Sequence, residues 1–90
     1  MNYRITERMS WQYCDKSTYL VNEEENIMYL LNECGGVIWR CIENKQDYSS
    51  ILNKVLTYFS LNKTEIVKKD VDNLLDKLLE YKFIEVSYEK

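Results

Sequence analysis

Residues 27–42 read IMYLLNECGGVIWRCI, and the spacing of their apolar residues changes partway along. In residues 27–31 every side chain is apolar, which is typical of a short strand with apolar groups on both faces. From Cys34 onward the apolar residues recur at steps of three and four, as they do on one face of an α-helix. Asn32 stands where an N-cap is favoured. The segment therefore predicts a strand that leads directly into an amphipathic helix.

The residues before this junction have the two-residue period of strands. Residues 9–14 alternate, with methionine, tryptophan and tyrosine at the odd positions, and residues 18–21 form a second short apolar run. The polar residues 15–17 and 22–26 that separate the runs are typical of turns. Together with residues 27–31 they predict a three-stranded antiparallel meander.

Two further helices are predicted after the junction. Beyond a polar loop at residues 43–47, Ser49 or Ser50 can cap a helix whose apolar stripe covers residues 51–59. The third helix has a stronger start signal.

Asn62 and Glu65 have the spacing of a capping box, and apolar residues then line one face of residues 67–79. Residues 83–86 indicate a short terminal strand or extended segment. The order predicts an α+β domain that is winged helix-turn-helix-like, with an N-terminal three-stranded antiparallel sheet, three helices and a short terminal extended segment.

The composition limits the class of protein. The chain has 90 residues, 46% of them apolar, which is enough for one domain with a real core, so we expect residues 1–90 to form a single unit. It has no run of about 18 apolar residues for a membrane span and no apolar signal segment near Met1. Its three cysteines have no CxxC spacing, which favours a reducing compartment. We therefore expect a cytoplasmic protein.

The absence of histidine argues against an enzyme. Histidine is the commonest general base and metal ligand, so the usual Ser-His and Cys-His catalytic pairs and the usual Cys/His zinc sites cannot form. We expect no catalytic activity, no metal and no cofactor.

Two stretches resemble a known family. Residues 31–39, LNECGGVIW, resemble the PqqD-like pattern L-N-x-[TS]-[GA]-x-x-[IL]-[WL], and residues 70–78, DVDNLLDKL, fit D-V-x-x-[FL]-L-x-x-L. The likeness covers about residues 9–86. Cys34 stands where the family usually has threonine or serine. Lys82 stands where it often has glycine, and a left-handed conformation there would strain a lysine.

The resemblance implies a peptide-binding function. PqqD-like domains are similar to winged helices and bind the leader segment of a ribosomally synthesised precursor peptide (a RiPP precursor). They present it to a maturation enzyme such as a radical-SAM enzyme, a cyclase or a leader peptidase. The leader docks as an extra strand along the third strand, with side chains in the groove between that strand and the last helix.

The last helix has a wider apolar stripe than one packing face needs. We interpret Leu75 and Leu79 as the floor of this groove and Lys68 and Asp72 as its polar rim, with plain core packing of the two leucines as the alternative. The predicted peptide-binding residues are Ile27, Met28, Tyr29, Leu30, Leu31, Lys68, Val71, Asp72, Leu75 and Leu79.

The main alternative function is a winged-helix DNA-binding regulator, because the order of elements is nearly shared. The net charge of −3 and the balance of residues 63–80, with four lysines against five acidic residues and no arginine, argue against nucleic acid as a partner. A protein–protein assembly module with no peptide client is a third possibility.

Overall fold

The computed structural model describes residues 2–59 and 63–87. Within them the elements are, in chain order, β1 (Asn2–Ile5), β2 (Met9–Cys14), β3 (Ser17–Asn22), β4 (Ile27–Leu31), α1 (Glu33–Glu43), α2 (Tyr48–Tyr58), α3 (Thr64–Glu80) and β5 (Ile84–Ser87). No helix among these residues has the length and apolar character needed to cross a bilayer.

The strands form two antiparallel sheets. β2, β3 and β4 make a three-stranded sheet in that order, which confirms the predicted meander and its place before the helices. β1 and β5 make a separate two-stranded sheet, in which Tyr3 lies opposite Val86. The terminal segment is thus a strand, and β1, which was not predicted, is its partner.

Several predicted boundaries shift by a few residues. α1 continues through Glu43, so the polar loop after it is shorter than expected. α2 is capped by Asp47, whose side chain accepts a hydrogen bond of 2.9 Å from the Ser50 N–H, and not by Ser49 or Ser50. The predicted N-cap Asn62 lies outside the described residues; Lys63 occupies the N-cap position of α3 and makes no side-chain cap bond.

The core lies where α1 packs between the sheets and the other helices. Its largest fully buried side chains include Trp39 of α1, Leu20 of β3 and Phe83 just before β5. Trp11 of β2 meets Trp39 edge to face, with 5.5 Å between the ring centroids. Contacts of this kind stabilise aromatic pairs beyond the area they bury, so β2 is held firmly to α1.

Two glycines allow α1 to approach the sheet. A Cβ on Gly35 would lie 3.0 Å from the Leu31 Cβ, and one on Gly36 would lie 2.8 Å from the Thr18 Oγ1. The predicted N-cap Asn32 is confirmed: its side chain accepts a hydrogen bond of 2.9 Å from the Gly35 N–H. The junction of β4 and α1 therefore depends on the absence of side chains at these two positions.

The C-terminus of α3 is tied to both sheets. Lys82 has a left-handed φ of 62°, which confirms the expected geometry, and the Phe83 N–H donates to the Leu78 carbonyl, as in a Schellman motif. The Lys82 carbonyl accepts hydrogen bonds from the Thr6 hydroxyl (2.7 Å) and the Asn22 side-chain amide (2.9 Å). One peptide group thus joins α3 to the segment after β1 and to the end of β3.

Gly36→Ala tests the close approach of α1. Alanine in a helix normally gains roughly 0.5–1 kcal/mol over glycine, but overpacking a buried site costs roughly 1–3 kcal/mol. Because Thr18 is buried, we expect the free energy of unfolding in denaturant to fall by about 1 kcal/mol.

The matched control is the double variant that combines Gly36→Ala with Thr18→Ala. Thr18→Ala removes the hydroxyl that the new methyl meets, so Gly36→Ala should be nearly neutral or stabilising in that background. If the losses in the free energy of unfolding caused by the two single changes simply add, the contact with Thr18 is not what makes alanine unfavourable at position 36.

Candidate functional site

β4 is an edge strand. Within the described residues it pairs with β3 on one side only. The side chains of Met28 and Leu30 are exposed, at 68% and 55%, whereas Ile27 and Tyr29 on the opposite face are half-buried and Leu31 is buried. Such an edge can hydrogen-bond to another strand, provided that its free backbone groups point outward.

The hydrogen-bond pattern of the sheet shows which groups are free. The Glu23 N–H donates to the Arg8 carbonyl at 3.0 Å, which makes these two residues a hydrogen-bonded pair continuing the β2–β3 register. Hydrogen-bonded and non-hydrogen-bonded pairs alternate along an antiparallel ladder. Tyr19 and Val21 therefore direct their backbone groups to β2, and the even-numbered residues of β3 direct theirs to β4.

The same alternation assigns the backbone groups of β4. Ile27, Tyr29 and Leu31 lie opposite the even-numbered residues of β3 and bond to them. Met28 and Leu30 consequently direct their N–H and C=O groups away from the sheet. The open edge thus offers two donors and two acceptors to a neighbouring strand.

One ring contact shows which end of α3 lies beside β4, and one electrostatic effect agrees with the same face of the helix. The ring of Tyr81, at the C-cap, lies 5.9 Å from that of Tyr29. At the other end the pKa of the Cys34 thiol is raised, mainly by burial and further by the negative charge of Asp70. At 100° per residue, Ile66, Leu74 and Lys77 share this face of the helix.

The inner face of β4 and this face of α3 are together called the β4 cleft. Its residues are Ile27, Tyr29 and Cys34 on one side and Ile66, Asp70, Leu74, Lys77 and Tyr81 on the other. Ile66 is 58% exposed and Tyr81 36%, so both offer apolar surface to a ligand. Asp70 and Lys77 are exposed charges of opposite sign. This surface therefore combines exposed apolar side chains with charges of both signs.

The structure does not bring all the sequence-predicted residues to this cleft. Val71 and Leu75 are buried in the core at 0% and 2% exposure, and Lys68 is exposed. Asp72 accepts a hydrogen bond of 2.6 Å from the Tyr48 hydroxyl of α2. Leu79 lines a different cleft, next to β1 and β5. α3 thus turns Asp72 and Leu79 towards α2 and β1.

The sequence-based prediction did not include the α3 residues that are grouped here with the β4 edge. Ile66 and Leu74 border the buried stripe on one side just as Leu79 borders it on the other, so the sequence contains no sign of which border lies beside β4. Tyr81 lies past the end of the helix. An aromatic residue next to Lys82 is the one feature of the sequence that could have drawn attention to Tyr81.

Cleft size alone does not identify the β4 edge. A cleft of about 700 Å³ lies between β1, β5 and the β3–β4 loop, where Arg4, Glu25, Lys82 and Glu85 give it a mixed charge. A second cleft, of about 500 Å³, lies between β1 and the end of α1. Neither is lined by a residue of β4. The edge is the stronger candidate, because unpaired backbone groups are a specific requirement of strand binding.

The Tyr48–Asp72 bond supports the position of α3. Burial, the hydrogen bond to Asp72 and the charge of that carboxylate together raise the pKa of Tyr48 to about 12 from an ordinary value of 10.0. The folded protein therefore holds this proton more tightly than the unfolded chain does. The stability gained is fully present below pH 10.0 and is lost as the pH rises towards 12.

We expect a double-mutant cycle of Tyr48→Phe and Asp72→Ala to give a coupling of about 1 kcal/mol in the free energy of unfolding at neutral pH. The coupling should shrink above pH 10.0 as the phenol ionises. A cycle with no coupling at neutral pH would mean that the bond does not position α3.

Comparisons with known proteins agree with this architecture. A family model described as coenzyme PQQ synthesis protein D (PqqD) matches residues 17–84. The solved structure of TbiB1 in complex with the TbiA(beta) leader peptide is similar over 96% of this chain and 99% of that chain, with a TM-score of 0.85 and 17% identity. A search of the curated proteins found no match. Because the family model spans more than half of the sequence, this chain belongs to the PqqD family.

Proposed function

We propose that this protein is a non-catalytic adaptor that binds the leader segment of a ribosomally synthesised precursor peptide. It presents that peptide to a modifying or processing enzyme in the cytoplasm. The observation that carries the proposal is the open edge of β4, where the backbone groups of Met28 and Leu30 are directed away from β3. Membership of the PqqD family and the fold shared with a leader-peptide complex support it.

The binding mechanism is strand addition. A peptide laid along β4 can form about four backbone hydrogen bonds with Met28 and Leu30, each contributing a net ~0.5–1.5 kcal/mol. These bonds are independent of peptide sequence. Alternate side chains of an extended peptide point to opposite faces, so every second one enters the β4 cleft and the others point to the solvent side of the sheet.

The cleft supplies the sequence preference. Ile66, Leu74 and Tyr81 favour apolar peptide residues at alternate positions. Lys77 favours a carboxylate towards the Tyr81 end, and Asp70 a cation towards the Cys34 end. We therefore expect a leader with alternating apolar residues and charges of opposite sign at the two ends of the bound segment.

The DNA-binding alternative gains no support. In a winged-helix regulator the last helix enters the major groove and needs a basic surface. The exposed positions of α3 include Asp70 and Asp76, and the chain as a whole is acidic. The release of counterions from DNA would contribute little to binding.

Leu30→Pro tests the docking edge. The proline removes the outward N–H of Leu30 but no hydrogen bond to β3, because Leu30 does not bond to that strand. We expect the affinity for the leader of the precursor encoded beside this chain, measured by calorimetry, to fall about tenfold or more. Leu30→Thr, which keeps the N–H, should lose far less.

A folded Leu30→Pro variant with undiminished affinity would rule out this edge. If the variant does not fold, amide exchange of the unaltered protein decides the same point. Adding the leader should protect the amides of Met28 and Leu30, whereas that of Tyr29 is protected from the start. Unchanged exchange at both outward amides in a saturated complex would also exclude the edge.

A pair of charge reversals tests which face of α3 meets the peptide. Lys77→Glu lies in the β4 cleft, whereas Lys68→Glu lies on the rim proposed from the sequence; both residues are exposed on the same helix. We expect Lys77→Glu to change the leader affinity about fivefold, near 1 kcal/mol, and Lys68→Glu to change it less than about twofold. The opposite result would assign the peptide to the Lys68 side.

A further inference from the structure

The solvent side of the three-stranded sheet is apolar beside the open edge. Tyr19 and Leu30 are opposite one another on β3 and β4, as are Val21 and Met28. Tyr19 is 42% exposed, Met28 and Leu30 are more exposed than Tyr19, and Val21 is half-buried. These four residues are called the outer apolar face.

The positions of β2 that continue this face are also uncharged, and charges enter at its border with Arg8 and Glu23, where the Ser10 hydroxyl donates to the Glu23 carboxylate at 3.5 Å. Ser10, Gln12 and Cys14 are the β2 residues that lie opposite Val21, Tyr19 and Ser17 and share this side of the sheet. All seven positions lack a charge, although 30% of the chain is charged. The face of a sheet that contacts water normally has charged and polar side chains. This apolar and uncharged surface is therefore typical of one that another protein covers.

We propose that the outer apolar face is a docking surface for the modifying or processing enzyme, and that the bound leader completes it. This inference rests on the proposed function. A leader strand added to β4 would lie roughly 4.8 Å from it, and its outward side chains would stand in line with those of Met28 and Leu30. The enzyme then contacts one continuous surface made by β3, β4 and the leader.

The size of the face favours an enzyme over a second copy of this chain. Exposed parts of three large side chains make a patch on the order of a few hundred Å². A stable interface needs roughly 800 Å² from each partner, so the face alone is too small for a firm dimer. The enzyme is already beside the leader, because the segment that it modifies is covalently continuous with the leader.

The composite surface has a thermodynamic consequence. If the enzyme contacts both the adaptor and the leader, it binds the loaded adaptor more tightly than the empty one. By linkage, the enzyme must raise the affinity of the adaptor for the leader by the same factor. The enzyme would thereby be recruited mainly to adaptors that carry a substrate.

Tyr19→Thr is the most direct test. Tyr19 lies one strand inward from the edge, too far to touch the leader backbone, and threonine suits a strand. The measurement is the leader affinity with and without a saturating concentration of the enzyme encoded with the precursor. We expect the affinity without enzyme to change less than twofold and the enhancement by the enzyme to fall about tenfold or more. Tyr58→Gln, which removes an exposed tyrosine of α2, should leave both values unchanged.

A second measurement uses the peptide alone. Serine at the outward positions of the leader should reduce the enhancement by the enzyme and leave the affinity without enzyme intact. Serine at the inward positions should do the reverse.

The outcomes separate the two proposals. A leader that does not bind the unaltered adaptor would refute the proposed function itself. Normal leader binding together with an enhancement that survives both Tyr19→Thr and the outward serines would overturn only the docking inference. The docking inference would also be overturned if the outer apolar face joins two copies of this chain. Light scattering would then show a dimer that Tyr19→Thr separates, while the enhancement by the enzyme persists.

Discussion

The close contact of α1 with the sheet, at Gly35 and Gly36, is the constraint on which the rest of the architecture depends. Leu31 and Thr18 occupy the space that two Cβ atoms would need, and Asn32 fixes the first turn of the helix at the same point. β4 ends there and the chain turns into α1, and within residues 2–59 and 63–87 no strand pairs with the other side of β4. The helix start therefore places the end of β4 against α1, while the lateral edge of β4 stays open.

Most of the architecture could be predicted because its signals are local. The two-residue period of β2, the apolar run of β4 and the helical stripes of α1 to α3 are each visible within a few residues. β1 could not be predicted in this way. It has four residues and its partner is β5, more than 75 positions later, so its stability depends on a contact that no local pattern contains.

The candidate site was harder to predict than the fold, because it depends on how one helix is rotated. The apolar stripe of α3 is bordered by Leu74 on one side and by Leu79 on the other, and either could have faced β4. The contacts Tyr48–Asp72 and Tyr29–Tyr81 fix the rotation, and both join residues far apart in sequence. The β4 residues were assigned more easily, since side-chain alternation along a strand follows from the sequence alone.

The carbonyl of Lys82 accepts two hydrogen bonds and so connects three parts of the molecule. By receiving the Thr6 hydroxyl and the Asn22 amide together, it anchors the Tyr81 end of α3 to the strand that precedes β4. A change that removes either donor would therefore loosen the end of α3 and both sheets at the same time.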